Sequence, residues 1–298
     1  MSGWDNKIAD VREFVKKRTV KLPDGTVVPA LGQGTWRIGE SNRTKAEEVR
    51  ALQLGIELGM TLIDTAEMYG SGGAERVVGE AIAGKRDQVF LVSKVYPHNS
   101  GRNKIKTACE QSLKRLQTDY LDLYLLHWRG FVPLEEVVEG MEHLKKEGKI
   151  LRWGVSNLDR DDMEELYRIQ NGENCTTNQV LYHLGSRGIE FDLLPWHREN
   201  NMPIMAYCPL AQGGSLRREL LHHPTIQAIA KKHDAKPLQI VLAWCIRTDD
   251  VIAIPKAVRP EHLLENAAAC AIELDEDDIA KLDDAFPKPT QKVPLDIV

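Results

Sequence analysis

The chain has 298 residues, 42% hydrophobic and 28% charged, enough to bury one large core in a single domain over 1–298. Its net charge of −5 comes without a basic stripe, which argues against a nucleic-acid partner, and no stretch approaches the ~18 consecutive apolar residues of a spanning helix, which argues against membrane insertion. The five cysteines (Cys109, Cys175, Cys208, Cys245, Cys270) are scattered, with no C-x-x-C, and MSGWDNKIADVREF lacks an apolar run to act as a signal peptide. Free thiols in a reducing cytoplasm are the expectation.

In chain order, residues 5–17 read as a short amphipathic helix. Pro23-Asp24-Gly25 then marks the turn of a β-hairpin. Strand and helix patterns alternate from there. ALGQGT is the first strand, and TKAEEVRALQLGIELG the first helix, with Val49, Leu52 and Ile56 at helical spacing and Gly59 as its stop. MTLID is followed by GAERVVGEAIAG, QVFLVSK by NKIKTACEQSLKRL, LDLYLLH by PLEEVVEGMEHLKKEG, and LRWGVSN by RDDMEELYRIQ. TTNQV precedes FDLLPWHREN, PIMAY a longer connection, and VIAIPK the helix HLLENAAAC. ELDEDDIAKLDDAF is an extra helix. Eight strands, each followed by helix, predict an α/β fold, a (β/α)₈ TIM barrel with an N-terminal β-hairpin and extra helices. An open doubly wound sheet is disfavoured because no G-x-G-x-x-G joins the first strand to its helix.

The strands end on polar residues: Asp64, Lys94, His127, Asn157, Gln179, Tyr207 and Lys256. In such a barrel the C-terminal strand ends share one rim, where active sites are built. Asp64, Lys94 and His127, with Tyr69 just past MTLID, are therefore the candidate catalytic set. A phenol with an ordinary pKa of ~10 is a poor acid near neutrality. An adjacent ammonium stabilises its phenolate, so Lys94 can sharpen Tyr69 while Asp64 holds Lys94. His127 offers an N–H to a substrate oxygen. A proton donor beside an oxygen-binding group suits the protonation of an alkoxide as hydride reaches carbon, and carbonyl reduction is the reaction class expected.

GTW (34–36), IDTAEMYGSGGAERVVGEAI (63–82), LVSK (91–94), LDLYLLHW (121–128), GVSN (154–157), NQVLY (178–182), AYCPLAQG (206–213) and IPKAVRPEHLLEN (254–266) resemble the aldo-keto reductase superfamily, in order, over about 19–286. The resemblance implies a barrel that binds NADPH without a Rossmann domain and reduces aldehydes and ketones. It implies Tyr69 as general acid, Lys94 and Asp64 as its tuners, and His127 as the group orienting the carbonyl. Ser156, Asn157 and Gln179 fall on positions that grip the nicotinamide carboxamide, and Tyr207 on the position that stacks on its ring. Thr35 and Trp36 also fall on cofactor-binding positions, and Leu210 to Gly213, Gln212 among them, on those covering the pyrophosphate. Lys256, Arg259 and His262 fall near the adenosine 2′-phosphate, Glu265 and Asn266 near adenine. Trp36, Met68 and Trp128 match substrate-pocket positions. The chain departs from the pattern at Ala257, where Ser or Thr is common, and at His262, where Arg is common.

A small-molecule carbonyl substrate, a monomeric state and broad scope for small or medium aldehydes are expected. The connection after LDLYLLH is short, and only PKPTQKVPLDIV follows AKLDDAF. Two other readings compete. Potassium-channel β subunits keep this barrel and its cofactor as regulatory partners of a membrane protein, although no long N-terminal segment is present here to act on one. A metal-dependent hydrolase using Asp64, Glu67 and His127 lacks a compact ligand set, and no metal is expected.

Overall fold

A computed structural model describes residues 3–298, with side chains from residue 6 onward. Helix α1 (Gly3–Lys17) leads into a hairpin of β1 (Thr19–Lys21) and β2 (Val27–Pro29), antiparallel with Val20 opposite Val28. The helix begins two residues before the 5–17 expected. The turn is built as its residues suggest: Gly25 sits at φ 88°, and the Asp24 carboxylate accepts the Thr26 N–H at 3.0 Å.

Alternation follows. β3 (Gln33–Gly34) precedes α2 (Lys45–Glu57), β4 (Leu62–Asp64) precedes α3 (Gly73–Ala81), and β5 (Phe90–Val95) precedes α4 (Ile105–Leu116). Next come β6 (Leu123–Leu126) with α5 (Leu134–Lys146), β7 (Trp153–Ser156) with α6 (Arg160–Arg168), and β8 (Asn178–Leu181) with α7 (Leu193–Glu199). β9 (Ile204–Tyr207) is followed by α8 (Gly214–His222), α9 (Pro224–Lys232) and α10 (Pro237–Cys245), and β10 (Val251–Ala253) by α11 (Pro260–Ala268) and α12 (Glu276–Ala285). β3 to β10 form one sheet in chain order. Its parallel strands and crossover helices are those of a (β/α)₈ barrel with an N-terminal hairpin and extra helices. Two details differ from the sequence reading. The last strand stops at Ala253 instead of Lys256, because Pro255 has no N–H to continue the ladder. The long connection after β9 holds three helices, two of them opened by a proline in the first turn.

The chain divides into two compact units. One comprises Gln33–Ile56 and Thr61–Gln179. Along β5 the side chains alternate across the sheet, so Lys94 and Ser93 point to opposite faces although both are fully buried. Ser93 donates its hydroxyl to Glu75 of α3 at 2.6 Å, and Arg115 of α4 donates Nε to the other oxygen of the same carboxylate at 2.5 Å. A fully buried carboxylate is stable in that position because both oxygens are bonded. Tyr69 opens a tight turn in which Gly70, Ser71 and Gly72 all take positive φ. That turn lies against the loop at Gly39, where a Cβ on Gly73 would sit 2.1 Å from the Gly39 carbonyl oxygen.

The other unit comprises the stretch up to Gly32 with Glu57–Met60 and Val180–Val298. Within it β9 pairs with β10, and Leu31 bridges Ala253 in parallel. Trp244 is fully buried, with the guanidinium groups of Arg187 and Arg247 at 5.0 and 4.0 Å from its ring. Arg18 donates to the carbonyls of Cys270 and Ile272, tying the end of α1 to the turn after α11.

Gly73 has helical φ of −63°, so alanine there would meet no backbone penalty, only the Gly39 contact. Gly73→Ala is expected to lower stability by about 1–3 kcal/mol in urea unfolding. The displaced turn carries Tyr69, the residue expected from the sequence to act as general acid, so activity is expected to fall with it. An unchanged midpoint would mean that the two loops separate freely.

Candidate active site

The ends of β4, β5 and β6 bring Asp64, Lys94 and His127 together with Tyr69. Lys94 Nζ lies 2.8 and 2.7 Å from the two oxygens of Asp64, 2.9 Å from the Thr65 carbonyl and 3.1 Å from the Tyr69 hydroxyl oxygen. Lys94 is 0% exposed and Asp64 2%. An ammonium has three hydrogens, and here they go to the carboxylate, the Thr65 carbonyl and the phenol oxygen. Tyr69 therefore accepts from Lys94, which leaves its own O–H to be donated elsewhere. Burial raises the carboxyl pKa of Asp64 and lowers the ammonium pKa of Lys94, and the charge of each partner opposes these shifts.

His127 packs edge-on to Tyr69, with ring centroids 5.7 Å apart. Burial, and then the positive charge of Lys94, push its pKa down to about 2. The ring is neutral in any physiological medium. Its Nδ1 is buried with no partner among the described residues. A proton there would be a wasted buried donor, so Nε2 is the atom positioned to carry the N–H. His127 is thus a neutral hydrogen-bond donor rather than an acid.

Around this group stand aromatic rings. Trp36, 44% exposed, meets Tyr69 edge-on at 5.2 Å, and Trp128, 37% exposed, lies 4.9 Å from His127. Met68 is half-buried beside Tyr69. Two anchors hold the connection after β6. Arg129 forks onto Asp162 and Glu165 of α6 at 2.6 to 2.8 Å, and Gly130 lies against Pro97. Glu67 accepts the Tyr96 N–H and the Asn99 amide, fastening the segment before Tyr69 to the segment after β5.

The residues expected to hold a nicotinamide are also at strand ends. Asn157, at φ 58°, donates Nδ2 to the His127 carbonyl, and Ser156 donates its hydroxyl to the Gln179 carbonyl. Gln179 donates its amide to Asp64 at 2.8 Å, a contact that its place in the sequence does not reveal. Thr35 uses its hydroxyl on the Asp64 carbonyl and so braces β4. These groups suit a flat amide ligand: they are polar, and Ser156 and Gln179 are almost fully buried on rigid strands.

In the other unit, Tyr207 ends β9 half-exposed, and the segment after it turns sharply, with Cys208 at φ 50°, Ala211 at 66° and Gly213 at 108°. Leu210 is buried there, and Gln212 is held by His183 Nε2 at 3.0 Å. Because Nδ1 of His183 accepts the Gly185 N–H, Nε2 carries the proton that Gln212 receives. Lys256, Arg259 and His262 are exposed around the start of α11, whose N-terminus has no side-chain cap. First-turn N–H groups without a side-chain cap, beside Lys256 and Arg259, suit a phosphate. Glu265 is tied to Lys236, and Asn266 is buried on the inner face of α11 with Leu263 and Leu264. Among the described residues, Asp64, Glu67 and His127 do not gather as metal ligands. The grouping that does, Asp275, Asp277 and Asp278, contains the capping box of α12 and is bonded to Lys232 and His233.

Comparison with known proteins gives the class. The Aldo/keto reductase family model matches residues 30–286. The chain belongs to the aldo/keto reductase family. It is 55% identical over 284 residues to the methylglyoxal reductase YeaE of Escherichia coli K12, covering 95% of this chain and 100% of the relative, and 34% identical over 271 residues to the glyoxal reductase of Bacillus subtilis, covering 90% and 92%. A crystal structure of an aldo/keto reductase from Klebsiella pneumoniae in complex with NADP and acetate is 56% identical, with a TM-score of 0.92 over 94% of this chain and 99% of that one. The protein is an oxidoreductase that reduces carbonyl compounds with NADPH. The reading as a channel-associated regulatory subunit gains no support from these relatives.

The His127 shift has a measurable sign. The unfolded chain's imidazole binds a proton near pH 6.5, whereas the folded one does so only at about 2. Its contribution to stability is complete above about pH 6.5 and declines as pH falls below it. In urea unfolding followed over that acid range, His127→Gln should flatten the fall in stability by close to one proton's worth of slope. An equal slope in both proteins would mean that the folded ring does take up a proton.

Proposed function

We propose that Tyr69 protonates the carbonyl oxygen of a small, electrophilic aldehyde or dicarbonyl compound, with His127 as the second donor to that oxygen. The observation that carries this reading is the Lys94 contact to the phenol oxygen: it fixes Tyr69 as a donor outward and places a cation where its phenolate would form. When bound, the cofactor supplies the hydride. Nε2 of His127 and the Tyr69 hydroxyl hold the substrate oxygen, and their donation polarises the carbonyl. As the oxygen gains electron density, Tyr69 releases its proton to it. The phenolate left behind faces the Lys94 ammonium, and Asp64 keeps that ammonium charged and in place. Burial of all three strengthens these interactions by excluding water.

The substrate class follows from what surrounds the two donors. Trp36, Trp128 and Met68 give apolar contacts and few polar anchors, so little binding energy is available to activate an unreactive carbonyl. A neighbouring electron-withdrawing carbonyl supplies that activation within the substrate. A 2-oxoaldehyde such as methylglyoxal fits, as the names of the relatives also suggest. The residues assigned to the cofactor divide by chemistry: Ser156, Asn157 and Gln179 for the carboxamide, Tyr207 for the nicotinamide ring, Leu210 to Gly213 for the pyrophosphate, and Lys256, Arg259 and His262 for the 2′-phosphate, with Glu265 and Asn266 toward adenine.

We read the chain as one domain, since a single family model spans most of it, and as a cytoplasmic monomer. The free cysteines support a reducing compartment, and no described helix is long and apolar enough to cross a membrane.

In the test of the donor, NADPH consumption is followed with methylglyoxal, glyoxal and simple aldehydes. The dicarbonyls should lead in kcat/KM, and Tyr69→Phe should lower the hydride-transfer rate by roughly 10²–10⁴-fold with NADPH affinity retained. Near-normal turnover by folded Tyr69→Phe would rule out the assignment. For the phosphate segment, Lys256→Ala should weaken NADPH roughly tenfold and leave NADH unaffected, a difference that high salt should also reduce. Equal dissociation constants for the two cofactors in the wild type would remove the phosphate role from this segment.

A further inference from the structure

We propose that Gln179 is a positioning residue of the proton donor: its side-chain amide holds Asp64 as a carboxylate, and so keeps Lys94 an ammonium against Tyr69. This rests on Tyr69 being the proton donor. The cofactor role that the resemblance gives Gln179 does not require it.

The geometry is specific. Gln179 lies on β8 and Asp64 on β4, and Nε2 of the amide donates to Oδ1 at 2.8 Å with both residues 2% exposed. The Gln179 backbone is clamped as well. Its carbonyl accepts the Ser156 hydroxyl at 2.8 Å and the Asn157 N–H at 2.9 Å. The one Lys94 N–H directed at the carboxylate is shared between Oδ1 and Oδ2, and the Gln179 amide adds a second donor at Oδ1.

A buried acid–base pair has two forms. In one, Asp64 is charged and so is Lys94. In the other, the proton has moved from Lys94 to Asp64 and both are neutral. Burial works toward the neutral form on both partners. The two forms do not serve Tyr69 equally. The ammonium has three hydrogens and a charge that favours phenolate. The amine has two hydrogens and no charge. A neutral N–H donor bonds a carboxylate more strongly than a carboxylic acid, so the Gln179 contact shifts the balance toward the ion pair.

The other charged and titratable groups around the pair do not take over this role. His127, from β6, is neutral. Glu75 of α3 favours a charged Lys94, but it sits across β5, bonded to Ser93 and Arg115. Glu67 is turned to Tyr96 and Asn99. Tyr69 is bonded to Lys94 through its hydroxyl oxygen.

Gln179→Met keeps the length of the side chain and removes the donor. Gln179→Asn keeps an amide that is one methylene too short. Each is compared with the wild type in the cofactor-free protein, by near-ultraviolet titration of tyrosinate. Subtracting the curve of the matching protein that also carries Tyr69→Phe isolates Tyr69. Both substitutions should move the Tyr69 midpoint upward, by on the order of one pH unit for methionine. In single-turnover reduction, the alkaline limb of the hydride-transfer rate should move the same way. NADPH affinity is measured separately by quenching of protein fluorescence. If affinity weakens while the Tyr69 titration and the alkaline limb stay in place in either folded variant, Gln179 is a cofactor contact only and the proposal fails. Full turnover by Tyr69→Phe would instead overturn the proton-donor reading, whatever the Gln179 variants do.

Discussion

Everything at the proposed centre depends on an ion pair that water cannot reach. Lys94 and Asp64 sit on adjacent parallel strands, and neither has solvent to hydrate its charge. Such a pair is not a device for stability, because apolar residues of equal volume would do that as well or better. What the pair provides is a cation held at 3.1 Å from a phenol oxygen, with its other hydrogens already bonded. The position is fixed before any substrate arrives, so under the proposed mechanism no reorganisation would be needed as negative charge developed on Tyr69.

The surrounding structure maintains that position by local means. Thr35 holds the Asp64 carbonyl, and the Thr65 carbonyl holds Lys94. The tight turn at Gly70 to Gly72 sets Tyr69 above them, and it is supported by a backbone contact that only glycine at 39 and 73 permits. On the outer face of β5, the Glu75–Arg115–Ser93 network fixes the strand that carries Lys94. Buried polar groups therefore lie on both sides of one strand, and each is satisfied by partners from a different element.

How much of this was legible in the sequence follows from the physics of each feature. Strand alternation and the polar ends of apolar runs are local, so the fold class and the set Asp64, Tyr69, Lys94 and His127 could be read directly. The contact of Gln179 with Asp64 spans 115 positions, and no periodicity encodes it. The network under Lys94 was invisible for the same reason: Glu75 reads as one more acidic residue in a helix, although its side chain is fully buried. The three helices after β9 were hidden by their shortness, at nine residues each, with turn residues crowded between them. Lys256 was assigned to a strand that Pro255 in fact terminates.

The neutral histidine shows why residue type alone does not give a role. A histidine beside a tyrosine could be the acid, and its ordinary pKa would suit that task better than a phenol's. Burial and the neighbouring ammonium remove this possibility by holding the ring unprotonated down to about 2. The same ammonium acts in opposite senses on its two neighbours. It disfavours a positive imidazole and favours a negative phenolate, so one charge supports both proposed roles, His127 as a neutral donor and Tyr69 as the acid. In the proposed mechanism one cation beside two candidate acids divides the labour: the substrate oxygen would meet one group that gives up a proton and one that only shares it.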